Sequence, residues 1–380
     1  MEAKENVPFE QGPIRPPSEA ESLLIRINRN CPWNRCLFCP AYKGKKFSRR
    51  TVEEIKEDIL AFKEAEQKLK RLSFNYGYGG AVGAELLELI YQQDPELIQV
   101  GLWLYRGGKN VFLQDADGLA MAADKLVAIL YFLKEQFPTV ERITTYARAK
   151  TAAKRTVEQL TTIREAGLTR VHIGMETGND ALLAYMCKGV TAAEQIEGGK
   201  KIKEAGLSLS EYVLLGLGGR DAWQEHIMDT AAALNAVDPH FIRLRTLALR
   251  HKIPLLDHVE KGTFIPQEDE GTAREVKLLL ENLTVHSYIV SDHFLNLLEE
   301  IEGQLPQDRL RLLDVVNRYL EMSPERRANY RLGRRLGYYR KLLDMEDRNR
   351  FSQVEEVRHN LQKQGEDQEQ FLAKYLARYV

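Results

Sequence analysis

Six times between Leu23 and Thr246 a short apolar run is followed by an amphipathic stretch or a polar turn, and this alternation restricts the chain to α/β folds. The runs Leu23–Ile27, Val111–Leu113, Arg142–Tyr146, Arg170–Gly174, Leu209–Leu215 and Phe241–Thr246 read as strands. Helices are expected from Thr51 and over Met121–Phe137, Thr156–Ala166, Thr191–Ala205 and Trp223–Asn235. Thr51 and Glu54 form a capping box, in which hydroxyl and carboxylate satisfy the orphan N–H groups of a helix start. Two helices end alike, in Glu165-Ala166-Gly167-Leu168 and Glu204-Ala205-Gly206-Leu207, with glycine where a helix stop takes a left-handed residue. Strands this apolar belong to a parallel sheet covered by helices, and six units suit an open barrel or a doubly wound sheet. Asn75–Gly108, rich in Gly and Tyr, reads as an insertion between the first two units. Beyond about residue 265 no strand is expected; Thr272–Glu275 reads as a second capping box and Ser323-Pro324 as a helix start. The domain boundaries that follow are a flexible tail over residues 1–20, a βα core over 21–250 and a helical C-terminal domain over 251–380.

With 380 residues, 44% of them hydrophobic, the chain can bury a large core. Its 54 Lys and Arg balance 55 Asp and Glu, so no global field favours nucleic acid or an anionic membrane. The polar opening MEAKENVPFEQGPIRPPSEA lacks the apolar segment of a secretory signal, and no run approaches the length of a membrane span. A soluble, cytoplasmic protein without a membrane partner is expected.

Only four cysteines occur, and Cys31, Cys36 and Cys39 share the loop Cys31-Pro32-Trp33-Asn34-Arg35-Cys36-Leu37-Phe38-Cys39 directly after the first strand. Four are too few for a disulfide scaffold of this size, so the cluster reads as a ligand set. Thiolates are soft ligands, suited to zinc or to an iron–sulfur cluster. A zinc site wants a fourth Cys or His nearby, and a redox pair of Cys36 and Cys39 leaves Cys31 without a task. Three ligands to a cluster of four irons leave one iron open. Polar residues also recur at the C-terminal ends of the strands, where parallel βα folds place their sites: Gln114–Gly118, Arg148 and Lys150, Glu176–Gly178, Gly216–Gly219, and Arg245 with Thr246.

A three-cysteine loop after the first strand, with an aromatic residue before the last cysteine, resembles the radical S-adenosylmethionine superfamily over about residues 22–250, although the spacing C-x4-C-x2-C has one residue more in the first gap than the commonest family pattern. The resemblance implies a partial (β/α)6 TIM-like barrel of the α/β class, carrying a helical C-terminal domain. It implies a 4Fe-4S cluster on Cys31, Cys36 and Cys39, and S-adenosyl-L-methionine chelated by the open iron and cleaved reductively to a 5′-deoxyadenosyl radical that abstracts hydrogen from substrate. By the same resemblance, Glu176 would bind the ribose hydroxyls, Arg148 the methionyl carboxylate, and Asp115 or Asp117 the methionyl ammonium in place of the absent Gly-Gly-Glu. Phe38 would lie beside the adenine, which the backbone at Gly216 would approach. The local readings are a mutual or capping role for Glu176 and Arg148, a helix cap at Asp117, a plain glycine turn at Gly216 and core packing for Phe38. Gly174-Met175-Glu176-Thr177-Gly178 and Lys188-Gly189 look nearest to the branch with elongator-type, methylthiotransferase and coproporphyrinogen oxidase-like members. The implied partners are a small-molecule substrate, which the residues do not identify, and an external one-electron reductant such as flavodoxin or ferredoxin.

Three further features stand outside this set. Cys187 reads as a lone core thiol, a hydrogen-atom donor or a substrate ligand, and Ser291-Asp292-His293 with Asn296 as a helix cap or a polar group over the barrel mouth. Arg326, Arg327, Arg331, Arg334, Arg335, Arg340 and Lys341 interleave with Tyr330, Tyr338 and Tyr339; a solvated basic helix is the commoner reading and an RNA-binding face the rarer one. The rival functions are therefore an RNA-modifying member of the same superfamily and a non-catalytic iron–sulfur protein.

Overall fold

The computed structural model describes residues 9–249 and 253–376. All six expected strands are present: β1 (Leu23–Arg26), β2 (Asn110–Gln114), β3 (Arg142–Ala147), β4 (Arg170–Glu176), β5 (Ser208–Leu215) and β6 (Phe241–Thr246). The class is α/β, of the partial (β/α)6 TIM-like kind, followed by helices from Arg309 to Leu376. Two short strands were not expected, β7 (Tyr288–Val290) and β8 (Glu302–Gln304). Each has three residues, and β8 contains a glycine, so neither carries a period of its own; pairing with a neighbour makes them strands.

The chain divides into two compact units. The first comprises residues up to Pro32, Gly44–Ile173 and Lys200–Leu209. Here β1, β2, β3 and the start of β4 pair in parallel in that order, with Ile25 opposite Leu113, Val111 opposite Ile143, and Thr145 opposite Val171. The helix Val52–Asn75 turns Ile55, Ile59, Phe62 and Leu69 inward at helical spacing, and its start is the capping box: Glu54 N donates to Thr51 Oγ1 (3.1 Å) and Thr51 N to Glu54 Oε2 (2.7 Å). Both Glu-Ala-Gly-Leu stops adopt the same geometry. Gly167 and Gly206 take φ of +127° and +78°, and Leu168 N and Leu207 N reach back to Ile163 O and Ile202 O. The expected insertion contains the helices Ala84–Gln93 and Ile98–Tyr105. The described part of the expected tail, residues 9–20, is anchored on this unit. The Phe9 ring lies 3.9 Å from that of Phe62, Glu10 pairs with Arg26 and Arg29, and Gln114 Nε2 donates to Ile14 O.

The second unit comprises Trp33–Lys43, Gly174–Gly199 and the residues from Ser210 on. From Ser210, β5 pairs in parallel with β6, β6 in parallel with β7, and β7 antiparallel with β8. The unit contains a buried cluster of Leu182, Met186, Leu214, Leu217, Ile253, Leu255 and Phe264, on which Leu37 and Phe38 of the cysteine loop pack. Thr272 and Glu275 do not start a helix. They lie inside the helix Asp269–Asn282, where the Thr272 hydroxyl donates to Asp269 O and Glu275 points inward. The S/T-x-x-E spacing also occurs within a helix, where those two positions share a face. Ser323 does cap the helix Pro324–Leu336, its hydroxyl accepting from Arg326 N.

Candidate active site

Directly after β1 the chain enters the cysteine loop. Cys31 belongs to the first unit, whose N-terminal segment ends at Pro32, and Cys36 and Cys39 belong to the second. Within the latter, Leu37 N donates to Met186 O (3.0 Å) and Leu255 N to Leu37 O (3.2 Å), so the loop backbone is held between two segments of the core. Asn34 takes φ +48° and donates from Nδ2 to Tyr42 O (2.6 Å), while Trp33 Nε1 donates to Cys187 O (2.7 Å). All three loop cysteines are half-buried thiols rather than disulfides. Among the described residues no three His, Cys, Asp or Glu side chains already form a metal cage. The donor chemistry nevertheless fits an iron–sulfur cluster: three soft ligands on one short, anchored loop, accessible and without competing oxidation.

In the first unit, the carboxylates after β2 are both buried and both engaged. Asp115 Oδ2 accepts from Arg26 Nε (2.8 Å) and Nη2 (2.6 Å) and from Asn30 N (3.0 Å). Asp117 accepts from Arg148 N (3.3 Å) and Thr151 Oγ1 (2.6 Å), and so caps the helix Ala149–Lys154, whose N-cap is Arg148. It makes no side-chain cap on the turn that follows it in sequence. Burial pushes the Asp117 carboxyl up to about 6, against the opposing pull of the Thr151 hydroxyl and the Arg148 amide.

The second unit gathers residues that lie apart in sequence. Glu176 ends β4 at φ +65°, and Lys188 Nζ lies 3.2 Å from its Oε1 and 5.7 Å from the Phe38 ring centroid. Gly174 lies beneath them, and a Cβ there would sit 2.2 Å from Glu176 Oε1 and displace that carboxylate. Near this pair is Glu211 of β5, fully buried, with neither carboxyl oxygen in a well-formed hydrogen bond among the described residues. Burial, opposed by Lys188 and reinforced by Glu176, holds its carboxyl well above the usual range. Lys188 and Glu211 were not picked out as site residues. The available signal was a lone glutamate inside the apolar strand Ser208–Leu215.

Thr177 and Gly178, next to Glu176, have a fastening role. The Thr177 hydroxyl donates to His226 Nδ1 (2.8 Å), His226 Nε2 donates to Leu214 O (3.2 Å), and Gly178 N donates to Thr230 Oγ1 (3.0 Å). Complete burial lowers the His226 imidazole to about 4, consistent with this neutral tautomer. Gly216 takes φ +80° and donates its N–H to Glu275 Oε2 (2.6 Å). With Leu215, Thr246, Leu247, Leu249 and Gln267 it lines a cavity of about 290 Å³. Burial raises Glu275 to about 8, against the Gly216 amide and Gln267.

Cys187 is exposed at φ +53°, not core. Asp292 does not cap a helix; it bridges Arg243 and Arg245 (2.6 Å each), and Asn296 donates to Leu244 O and Ser291 Oγ. The basic C-terminal helix is not an open phosphate face. Arg327, Arg331, Arg334, Arg335 and Arg340 pair with Glu270, Glu369, Glu299, Asp269 and Glu299, and Tyr330 and Tyr339 are fully buried. Among the described residues no helix is long and apolar enough to cross a membrane.

The sequence profile of the radical SAM superfamily matches residues 25–231, more than half of the chain, and the protein belongs to that superfamily. No curated protein sequence matches it. Similar solved structures include the archaeal Methanocaldococcus infernus Elp3 lacking its N-terminus (15% identity, 62% of this chain and 60% of that one, TM-score 0.43). Methylornithine synthase PylB gives 17% identity over 72% of this chain and 66% of its own, with TM-score 0.43. Coproporphyrinogen III oxidase HemN from Escherichia coli gives 14% identity over 68% of this chain and 50% of its own, with TM-score 0.41.

Proposed function

We propose that this chain is a radical SAM enzyme that removes hydrogen from a small organic substrate in the cytoplasm, with residues 21–250 as the core and 251–380 as an appended helical domain. The observation that carries the reading is the anchored three-thiol loop directly after β1, in a chain of this superfamily. Cys31, Cys36 and Cys39 would hold a 4Fe-4S cluster, which when bound supplies the electron that cleaves S-adenosylmethionine to methionine and a hydrogen-abstracting 5′-deoxyadenosyl radical. The chain's own residues bind, orient and shield. Phe38 offers an apolar face to the adenine, and Glu176, held by Lys188, presents a carboxylate to the ribose hydroxyls. Arg148, fixed as a helix N-cap, serves the methionyl carboxylate, and Asp115 or Asp117 the ammonium; the backbone at Gly216 lies open to the cavity beside it. The electron comes from an external carrier such as flavodoxin or ferredoxin. Because Arg327, Arg331, Arg334 and Arg335 of Pro324–Leu336 are paired and Tyr330 is buried, that helix gives an RNA substrate little support.

The test is anaerobic: reconstitute the cluster, add dithionite and S-adenosylmethionine, and quantify 5′-deoxyadenosine. Wild type is expected to form it, Cys36→Ala is expected to fall to background, and Glu176→Gln is expected to bind S-adenosylmethionine about tenfold more weakly, the scale of one lost charge-assisted hydrogen bond. A wild type that holds a full cluster yet neither binds nor cleaves S-adenosylmethionine would leave a non-catalytic iron–sulfur protein instead.

A further inference from the structure

Strand alternation within the second unit puts Ser210 and Tyr212 of β5 on the same face as Arg243 and Arg245 of β6, with Tyr212 opposite Arg243 in the register. Arg243 Nε donates to Ser210 Oγ (3.2 Å), and its Nη1 donates to Asp292 Oδ2 (2.6 Å). Arg245 Nη1 donates to Asp292 Oδ1 and to Leu244 O (2.6 and 2.7 Å), and its guanidinium lies 4.8 Å from the Tyr212 ring centroid. Two guanidinium groups thus share one carboxylate, which leaves a surplus positive charge at the C-terminal end of β6. Arg245 Nη2 is buried with no hydrogen-bond partner among the described residues. Water would satisfy its two N–H donors but not the surplus charge; an oxyanion satisfies both, and a planar guanidinium held by its other nitrogen is preorganised for one. Asn296, tied to Leu244 O, Ser291 Oγ and Thr246 Oγ1, braces the segment that carries Asp292.

We infer that Arg245, positioned by Asp292 and Tyr212, is a substrate-binding residue whose Nη2 receives a carboxylate or phosphate group, so that the substrate of the proposed radical reaction is an anion. The inference rests on that reading for the word substrate, and its test separates the two.

The reconstituted protein is melted in inorganic phosphate and, separately, in succinate, each against chloride at equal ionic strength. Wild type is expected to gain about 3 °C at about 20 mM of at least one anion. Arg245→Gln is expected to lose the gain, while Arg220→Gln, which removes an exposed ion pair with Glu268, keeps it. No gain in wild type, or a gain that survives in Arg245→Gln, overturns the subsite. Should Arg245→Gln not fold, Arg245→Lys decides, because it keeps the charge and loses the second nitrogen: a gain cut by half or more supports the subsite and an undiminished one overturns it. Formation of 5′-deoxyadenosine is read in wild type, and the anion arms are repeated with saturating S-adenosylmethionine, where the wild-type gain should persist. A loss there would assign Arg245 to S-adenosylmethionine and overturn the substrate role. A wild type that forms none defeats the radical reading alone, and the anion arms still decide the subsite.

Discussion

Glu275 shows what burial does to one residue. Its carboxyl is enclosed by the second unit and accepts from Gly216 N, yet its pKa of about 8 means that the folded chain keeps a proton the unfolded chain loses above about 4.5. Between those values the unfolded state binds fewer protons, so stability falls as pH rises, by up to a few kcal/mol. Glu275→Gln keeps an oxygen for the Gly216 amide and removes the titration. Its melting temperature is therefore expected to gain on wild type between pH 5.5 and pH 8.5, and an offset that stays constant over that range would contradict the assignment. Asp117 and Glu211 act in the same direction, which is why the comparison is made against wild type at each pH. None of these shifts is legible from residue type. Asp117 reads as a cap for the turn beside it in sequence, and only folding brings Thr151 and the Arg148 amide to it.

Elements were the most legible scale, because their signals are local. The box Thr51–Glu54, the stops at Gly167 and Gly206, and the Ser323 cap depend on hydrogen bonds between residues three to five apart, which spacing encodes directly. Thr51→Ala is expected to destabilise the first unit by about 1 kcal/mol, read as a lower urea midpoint, without changing cluster content. A midpoint within error of wild type would mean that the box adds nothing to the tertiary packing of Ile55, Ile59 and Phe62. The misses follow the same logic. Thr272–Glu275 has the letters of a cap in the middle of a helix, and β7 and β8 are strands only because they pair with a neighbour.

Across the whole molecule, charge balance hides strong local pairing. With 54 basic and 55 acidic side chains the basic C-terminal helix invites a nucleic-acid reading, but its Arg327, Arg334, Arg331 and Arg335 meet Glu270, Glu299, Glu369 and Asp269. Arg335 pairs with Asp269 at 2.5 Å in a nearly buried setting, so Arg335→Ala is expected to lower stability by about 2–4 kcal/mol by stranding that carboxylate. Wild type should show no salt-dependent RNA retention, and retention at low salt that Arg335→Ala abolishes would restore the RNA reading. The sequence by itself determined the six βα units, the helix caps and stops, and the three-thiol loop, since each is written in neighbouring residues or in the chemistry of one residue type. Tertiary structure decided which charges are neutralised and which are left in surplus. Lys188 joins Glu176 and Phe38, Asp292 is shared by Arg243 and Arg245, and Glu211 is sealed in; long-range packing alone sets their burial and their partners, and with them the energy of every charge.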